Sequence, residues 1–221
     1  YIPDTVTSIG ELAFEKCSSL ISIIIPDTVT SIGELAFFGC SSLIDINIPN
    51  SVTSIGESAF ERCDSLTDIK IPDTVTSIGE SAFKDTPWLL NARKENSLVI
   101  VNHILIDGRT ISGNIRIPDT ITSIGNGAFE ECSGLTSITI PDTVTSIGWY
   151  AFNGCSSLIE VNISGTCTSI ETRTFEGCGS LASINIPDSV MCIEDYAFNK
   201  GYEIFKNSEN SRLFSLYFGK H

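Results

Sequence analysis

A single interval of 23 residues runs through this chain and limits what it can become. Pro3, Pro26, Pro49 and Pro72 are separated by it, and Pro118, Pro141 and Pro187 fall on its multiples. The phenylalanines keep the same phase at Phe14, Phe37, Phe60 and Phe83, then at Phe129, Phe152, Phe175 and Phe198. Two residue types locked to one period of this length signal a repeat architecture. Each repeat is one small unit that cannot bury its own apolar side, so neighbours must stack.

The repeat Pro141 to Ile163, PDTVTSIGWYAFNGCSSLIEVNI, shows the logic. Val161 and Ile163 alternate with Glu160 and Asn162, the period of a strand with one face buried. The Pro-Asp that follows ends the strand, because proline offers no N–H to a ladder and Pro-Asp favours a turn. Ala151, Phe152 and Cys155 share one face of a short helical turn by their spacing. The recurring Ile-Gly reads as a turn whose glycine takes unusual backbone angles. About nine such coils, spaced by about 4.8 Å, would make a stack on the order of 40 Å long.

The register persists where the motif degrades. Leu98, Val101, Leu105, Ile106, Ile115 and Ile117 occupy apolar slots. Ala92 and Lys94 replace two strand isoleucines, and Trp88 is expected to pack across the defect. Ser97–Ile106 alternates around Asn102-His103 and predicts a hairpin. Domain organisation follows: one domain over 1–221, with regular repeats at 1–83, an irregular coil or hairpin at 84–117 where a bend is expected, and regular repeats at 118–200. A non-repeat C-terminal cap, 201–221, carries RLFSLYF. The first repeat begins without a cap or signal segment, so the chain is expected to be a piece of a longer array.

The motif IPDTVTSIGxxAFxxCSSLxxIxIP closely resembles the BspA-like leucine-rich repeats over residues 1–200. FKDTPWLLNARKENSLVIVNHILIDGRTISGNIRIPDTITSIG is similar to an irregular repeat within such proteins. The resemblance implies an α/β-type solenoid, a right-handed leucine-rich repeat superhelix of about nine coils. Its parallel β-sheet would lie on the concave face and its short helical turns on the convex side. It also implies a secreted or cell-surface protein that adheres to host or neighbouring-cell surface proteins.

Composition narrows the function. A net charge of −14 opposes nucleic acid, whose phosphates need clustered Lys and Arg. It also opposes anionic membrane surfaces. No apolar run approaches the roughly 18 residues of a membrane span. Cys17, Cys40, Cys63, Cys132, Cys155 and Cys178 share one repeat position, which reads as a ladder of small buried side chains and not as a disulfide framework. The only histidines are His103, in the hairpin turn, and His221. Nucleophile–base arrangements and His-based metal clusters therefore lack their parts. No CxxC or phosphate-binding glycine motif occurs.

Asp4, Asp27, Asp73, Asp119, Asp142 and Asp188 form a ladder that either caps its own Pro-Asp turns or binds Ca²⁺; turn capping is the favoured reading. No enzyme activity and no cofactor are expected. Candidate partner-binding residues are the outward strand positions Asp45, Asn47, Asp68, Lys70, Asn114, Arg116, Thr139, Glu160, Asn162, Ser183 and Asn185. They vary while the inward positions stay constant. Ile24, Ile44 and Ile159 are expected to be exposed on the same face. The expected partner is a host or neighbouring-cell surface protein or glycan. The alternatives are a structural spacer presenting another domain, or a non-catalytic repeat region of a larger enzyme.

Overall fold

The computed structural model describes residues 1–199; residues 200–221, including the expected C-terminal cap, lie outside the described part. The repeats build a parallel-strand β-solenoid of about seven turns of about 23 residues. The count differs from nine where residues 87–107 are spent on a helix and two strands. The chain divides into two compact units, Tyr1–Ile104 and a second that begins at Leu105.

In the first unit, the coils at 26–48 and 49–71 each contribute two strand segments. Ser31–Ile32, Ser54–Ile55 and Ser77–Ile78 pair in parallel, with Ile9 bridging Ile32, so equivalent residues 23 apart are direct neighbours. Asp45–Asn47 and Asp68–Lys70 form the second ladder. Between the ladders the chain turns at Pro-Asp-Thr-Val, where the Val29 N–H donates to the Pro26 carbonyl at 3.0 Å. The turn hydroxyls reach across coils: Thr28 Oγ1 donates to the Val6 carbonyl and Ser51 Oγ to the Val29 carbonyl, both at 2.6 Å.

The Ala-Phe-x-x-Cys segments make no helix. Every second residue donates within its own turn, as Ala13 does to Gly10 and Glu15 to Leu12. The residues between them donate across coils: Leu12 to Glu34, Phe14 to Ala36 and Lys16 to Phe38. This alternation places one residue in four in the left-handed region, including Leu12 (φ 58°), Lys16 (φ 55°), Leu35 (φ 53°) and Gly39 (φ 68°). The i→i−4 bonds of a helix are thereby exchanged for a ladder shared between neighbours, which a lone coil cannot make.

The Ile-Gly glycines differ from expectation. Gly33, Gly56 and Gly79 do not carry positive φ. Their need is for space: a Cβ at Gly33 would lie 2.7 Å from the Glu11 backbone nitrogen of the preceding coil. Glycine here permits close stacking of backbones.

The core is a set of vertical columns. Phe14, Phe37, Phe60 and Phe83 stack at 5.0, 5.3 and 5.8 Å with planes within 5° of parallel. Beside them the Cys63 thiol donates to the Phe37 carbonyl and the Cys40 thiol to that of Phe14, each at 3.1 Å. After Phe83 the column ends. Pro87–Glu95 forms the single α-helix among the described residues, with Thr86 as N-cap accepting the Leu89 N–H at 3.2 Å and Pro87 at its start. The Trp88 ring meets Phe83 edge-on at 4.9 Å, which is the expected closure of the defect. Two strands, Val99–Val101 and Ile104–Asp107, flank Asn102-His103 where the hairpin was expected.

The second unit repeats the scheme. Ser123–Ile124 pairs with Ser146–Ile147, and Ser169–Ile170 with Cys192–Ile193. Gly113–Arg116, Leu135–Ile140, Glu160–Ile163 and Ser183–Asn185 form one four-stranded parallel sheet. Phe129, Phe152, Phe175 and Phe198 stack at 5.0, 5.2 and 5.4 Å. At the start of this column Gly108 lies against Phe129 so closely that a Cβ would overlap the ring. Arg109 fastens this coil, donating to the Gly127 carbonyl at 3.1 and 3.2 Å and pairing with Glu130 at 3.0 Å.

Candidate interaction surface

The strand face of each unit follows from period-two alternation. Ile46 and Ile69 point inward and are buried, while Asp45, Asn47, Asp68 and Lys70 stand outward and exposed. Asp45 is registered with Asp68, and Asn47 with Lys70. These four side chains and Ile46 line an open groove of about 200 Å³. Two like charges directly opposite cost stability within a sheet, so the Asp45–Asp68 pair is not explained by the fold's own needs.

On the second unit, Asn114, Arg116, Glu160, Asn162, Ser183 and Asn185 are exposed and Thr139 is half-buried. They share one sheet, with Thr139, Asn162 and Asn185 in one column and Glu160 above Ser183 in another. The surface is partly self-bonded. Asn185 Nδ2 donates to Asn162 Oδ1 at 3.0 Å, and Thr136 Oγ1 donates to Asn114 Oδ1 at 2.7 Å. Arg116 pairs with Asp119 at 2.9 Å. Ile24, Ile44 and Ile159 are exposed, Ile24 at 81%.

The thiols are structural. All eight cysteines are free. The neighbouring thiols Cys40 and Cys178, one coil away, together with burial push Cys63 and Cys155 well above the usual thiol range. Burial raises Cys132, and it pushes Cys167 up to about 11. A raised thiol is protonated near neutral pH and a weak nucleophile.

The six ladder aspartates are exposed, and among the described residues no group of three or more His, Cys, Asp or Glu side chains is placed to hold a metal. The Pro-Asp turns are closed by backbone bonds and by the Thr and Ser hydroxyls. Among the described residues no helix is long and apolar enough to cross a membrane.

Sequence reasoning about the strand face missed an aromatic cluster on the turns. Arg173 lies 5.6 Å from the Tyr150 ring and 5.1 Å from the Tyr196 ring, with Trp149 beside Tyr150 in the chain. The 23-residue spacing of positions 150, 173 and 196 was the available signal.

Comparison with known proteins identifies the family of the repeats. The family model described as BspA type leucine-rich repeat region matches residues 1–107 and 107–207 in six copies. Among solved structures, a leucine-rich cell surface protein from Faecalibacterium prausnitzii is 28% identical over 92% of this chain and 70% of its own, with a TM-score of 0.49. A leucine-rich repeat protein from Bacteroides ovatus is 30% identical over 91% of this chain and 58% of its own, with a TM-score of 0.45. The T. pallidum leucine-rich repeat protein is 25% identical over 89% and 82%, with a TM-score of 0.43. No curated protein matches the sequence. The family model spans nearly the whole chain, and the protein belongs to the BspA-type leucine-rich repeat family.

Proposed function

We propose that this chain is a non-enzymatic interaction module of a secreted or cell-surface protein. It binds a host or neighbouring-cell surface protein or glycan along its outward strand positions. The observation that carries the reading is the contrast within each strand: inward Ile46, Ile69, Ile138 and Val161 are uniform and buried, whereas the outward neighbours differ from coil to coil and are mostly exposed. Stacking dictates the first set, whereas the second is left to vary, apart from the cross-coil bonds of Asn185 to Asn162 and of Thr136 to Asn114. In the first unit the groove at Asp45, Asn47, Asp68 and Lys70 adds two registered carboxylates, a cost that a basic partner group would offset. Repeated shallow contacts of this kind suit multivalent binding.

The test is to immobilise the protein and present host matrix proteins and a glycan array, then repeat with Asp68→Ala and Lys70→Ala combined. Partner binding lost at unchanged thermal stability supports the strand face. Full retention by the double variant removes this groove from the binding site.

A further inference from the structure

The geometry points to a separate binding site on the turns of the second unit: a stacking platform for the pyranose rings of a neutral β-linked glycan, centred on Trp149. This site is independent of the strand-face reading.

Trp149 is 54% exposed, yet its orientation is fixed. Its backbone N–H donates to Asn126 Oδ1 at 3.0 Å and its indole Nε1–H to Glu171 Oε2 at 3.1 Å. Glu171 is itself held, since Oε1 accepts the Ser169 hydroxyl at 2.6 Å. The polar edge of the indole is thus satisfied within the protein, while the residue as a whole stays more than half exposed. A side chain immobilised before binding loses little further rotamer freedom when a ligand arrives.

The neighbouring column is built the same way. Arg173 sits against Tyr150 and Tyr196, Nη1 donates to Tyr150 Oη at 3.2 Å, and Nε pairs with Glu176 at 3.4 Å. Its charge is engaged by these partners, and Tyr196 remains 54% exposed. Thr172 and Asp195 continue Trp149's own column one and two coils on, offering a hydroxyl and an exposed carboxylate.

A flat, pinned aromatic flanked by hydrogen-bonding groups suits a sugar, whose C–H-bearing face stacks while its hydroxyls reach the flanks. Anionic glycans meet a chain of net charge −14. Adjacent coils here repeat at 5.2 Å, measured at Phe152 and Phe175, close to the rise per sugar of an extended β-1,4-linked hexose chain.

Cellohexaose and mannohexaose, titrated by calorimetry and by tryptophan emission, test the site. Saturable binding of either one is expected, weakened at least about tenfold (1.4 kcal/mol) by Trp149→Ala. Trp149→Phe, which keeps a ring, is expected to fall between and reads the site should the alanine variant not fold. Asp68→Ala with Lys70→Ala should leave this binding unchanged. No saturable binding of either oligosaccharide at about 10 mM, binding indifferent to both Trp149 variants, or tighter binding of anionic hexagalacturonate would each overturn the proposal.

Discussion

Phe37 and Phe60 lie with ring centroids 5.3 Å apart and planes 3° from parallel. Parallel rings touch at roughly 3.5 Å, so this separation means the rings slip past one another into the offset arrangement that aromatic quadrupoles prefer. Coil spacing, not ring–ring attraction, sets the distance, and the column is therefore a consequence of the backbone ladders. Both rings are fully buried. Phe60→Ala is expected to destabilise the protein by about 3–5 kcal/mol. Denaturant unfolding checks this, and a cost below about 1 kcal/mol would show the column is not core.

Two glycines should respond differently to one methyl group. A Cβ on Gly33 would press on the Gly10 and Glu11 backbone of the preceding coil, whereas one on Gly179 would meet nothing within 4 Å. Gly33→Ala is expected to cost about 1–3 kcal/mol by overpacking. Gly179→Ala is expected to be neutral within about 0.5 kcal/mol. Similar melting shifts for both would refute the close-stacking role.

Much of this was legible from the sequence because stacking copies each residue onto its equivalent. The phase of Pro and Phe was enough to place the inward isoleucines, the cysteine column and the outward strand positions. The Ile-Gly angles and the Ala-Phe-x-x-Cys helix were misread for one reason. Both are shaped by bonds to the next coil, such as Phe14 N–H to Ala36, which local spacing within a repeat does not encode. The helix Pro87–Glu95 was signalled locally by Thr86-Pro87, an N-cap followed by proline at the first helical position, a signal outside the 23-residue pattern.

Thiol reactivity should follow burial. Cys40, Cys63, Cys132, Cys155, Cys167 and Cys178 are buried and Cys192 is half-buried. With an aromatic disulfide reagent at pH 8, the six buried thiols are expected to stay unmodified in the native protein and to react only on unfolding. Rapid native modification of Cys63 or Cys155 would contradict their placement.

Glu57 supplies a pH dependence. Burial, with Glu34 and Glu61 nearby, holds its carboxyl above its ordinary 4.5. The folded state therefore binds the proton more tightly, and stability falls as pH rises from 4.5 through the folded value. Below 4.5 both states are protonated and the penalty disappears. Because Glu57 is largely exposed, solvent screening keeps the effect small. Glu57→Gln is expected to raise stability at pH 7 by no more than about 0.5 kcal/mol, with the gain vanishing at pH 3.5. A loss of stability at pH 7, read from thermal melts, would reverse the sign assigned here.

The double-mutant cycle of Phe37→Ala and Phe60→Ala, set beside that of Phe14→Ala and Phe83→Ala, tests coil-over-coil stacking most directly. Phe37 and Phe60 should couple by more than about 0.5 kcal/mol, whereas Phe14 and Phe83, three coils apart, should add within about that margin. Additive costs at Phe37 and Phe60 would mean that these rings do not share a column, and would contradict the architecture and the strand face built upon it.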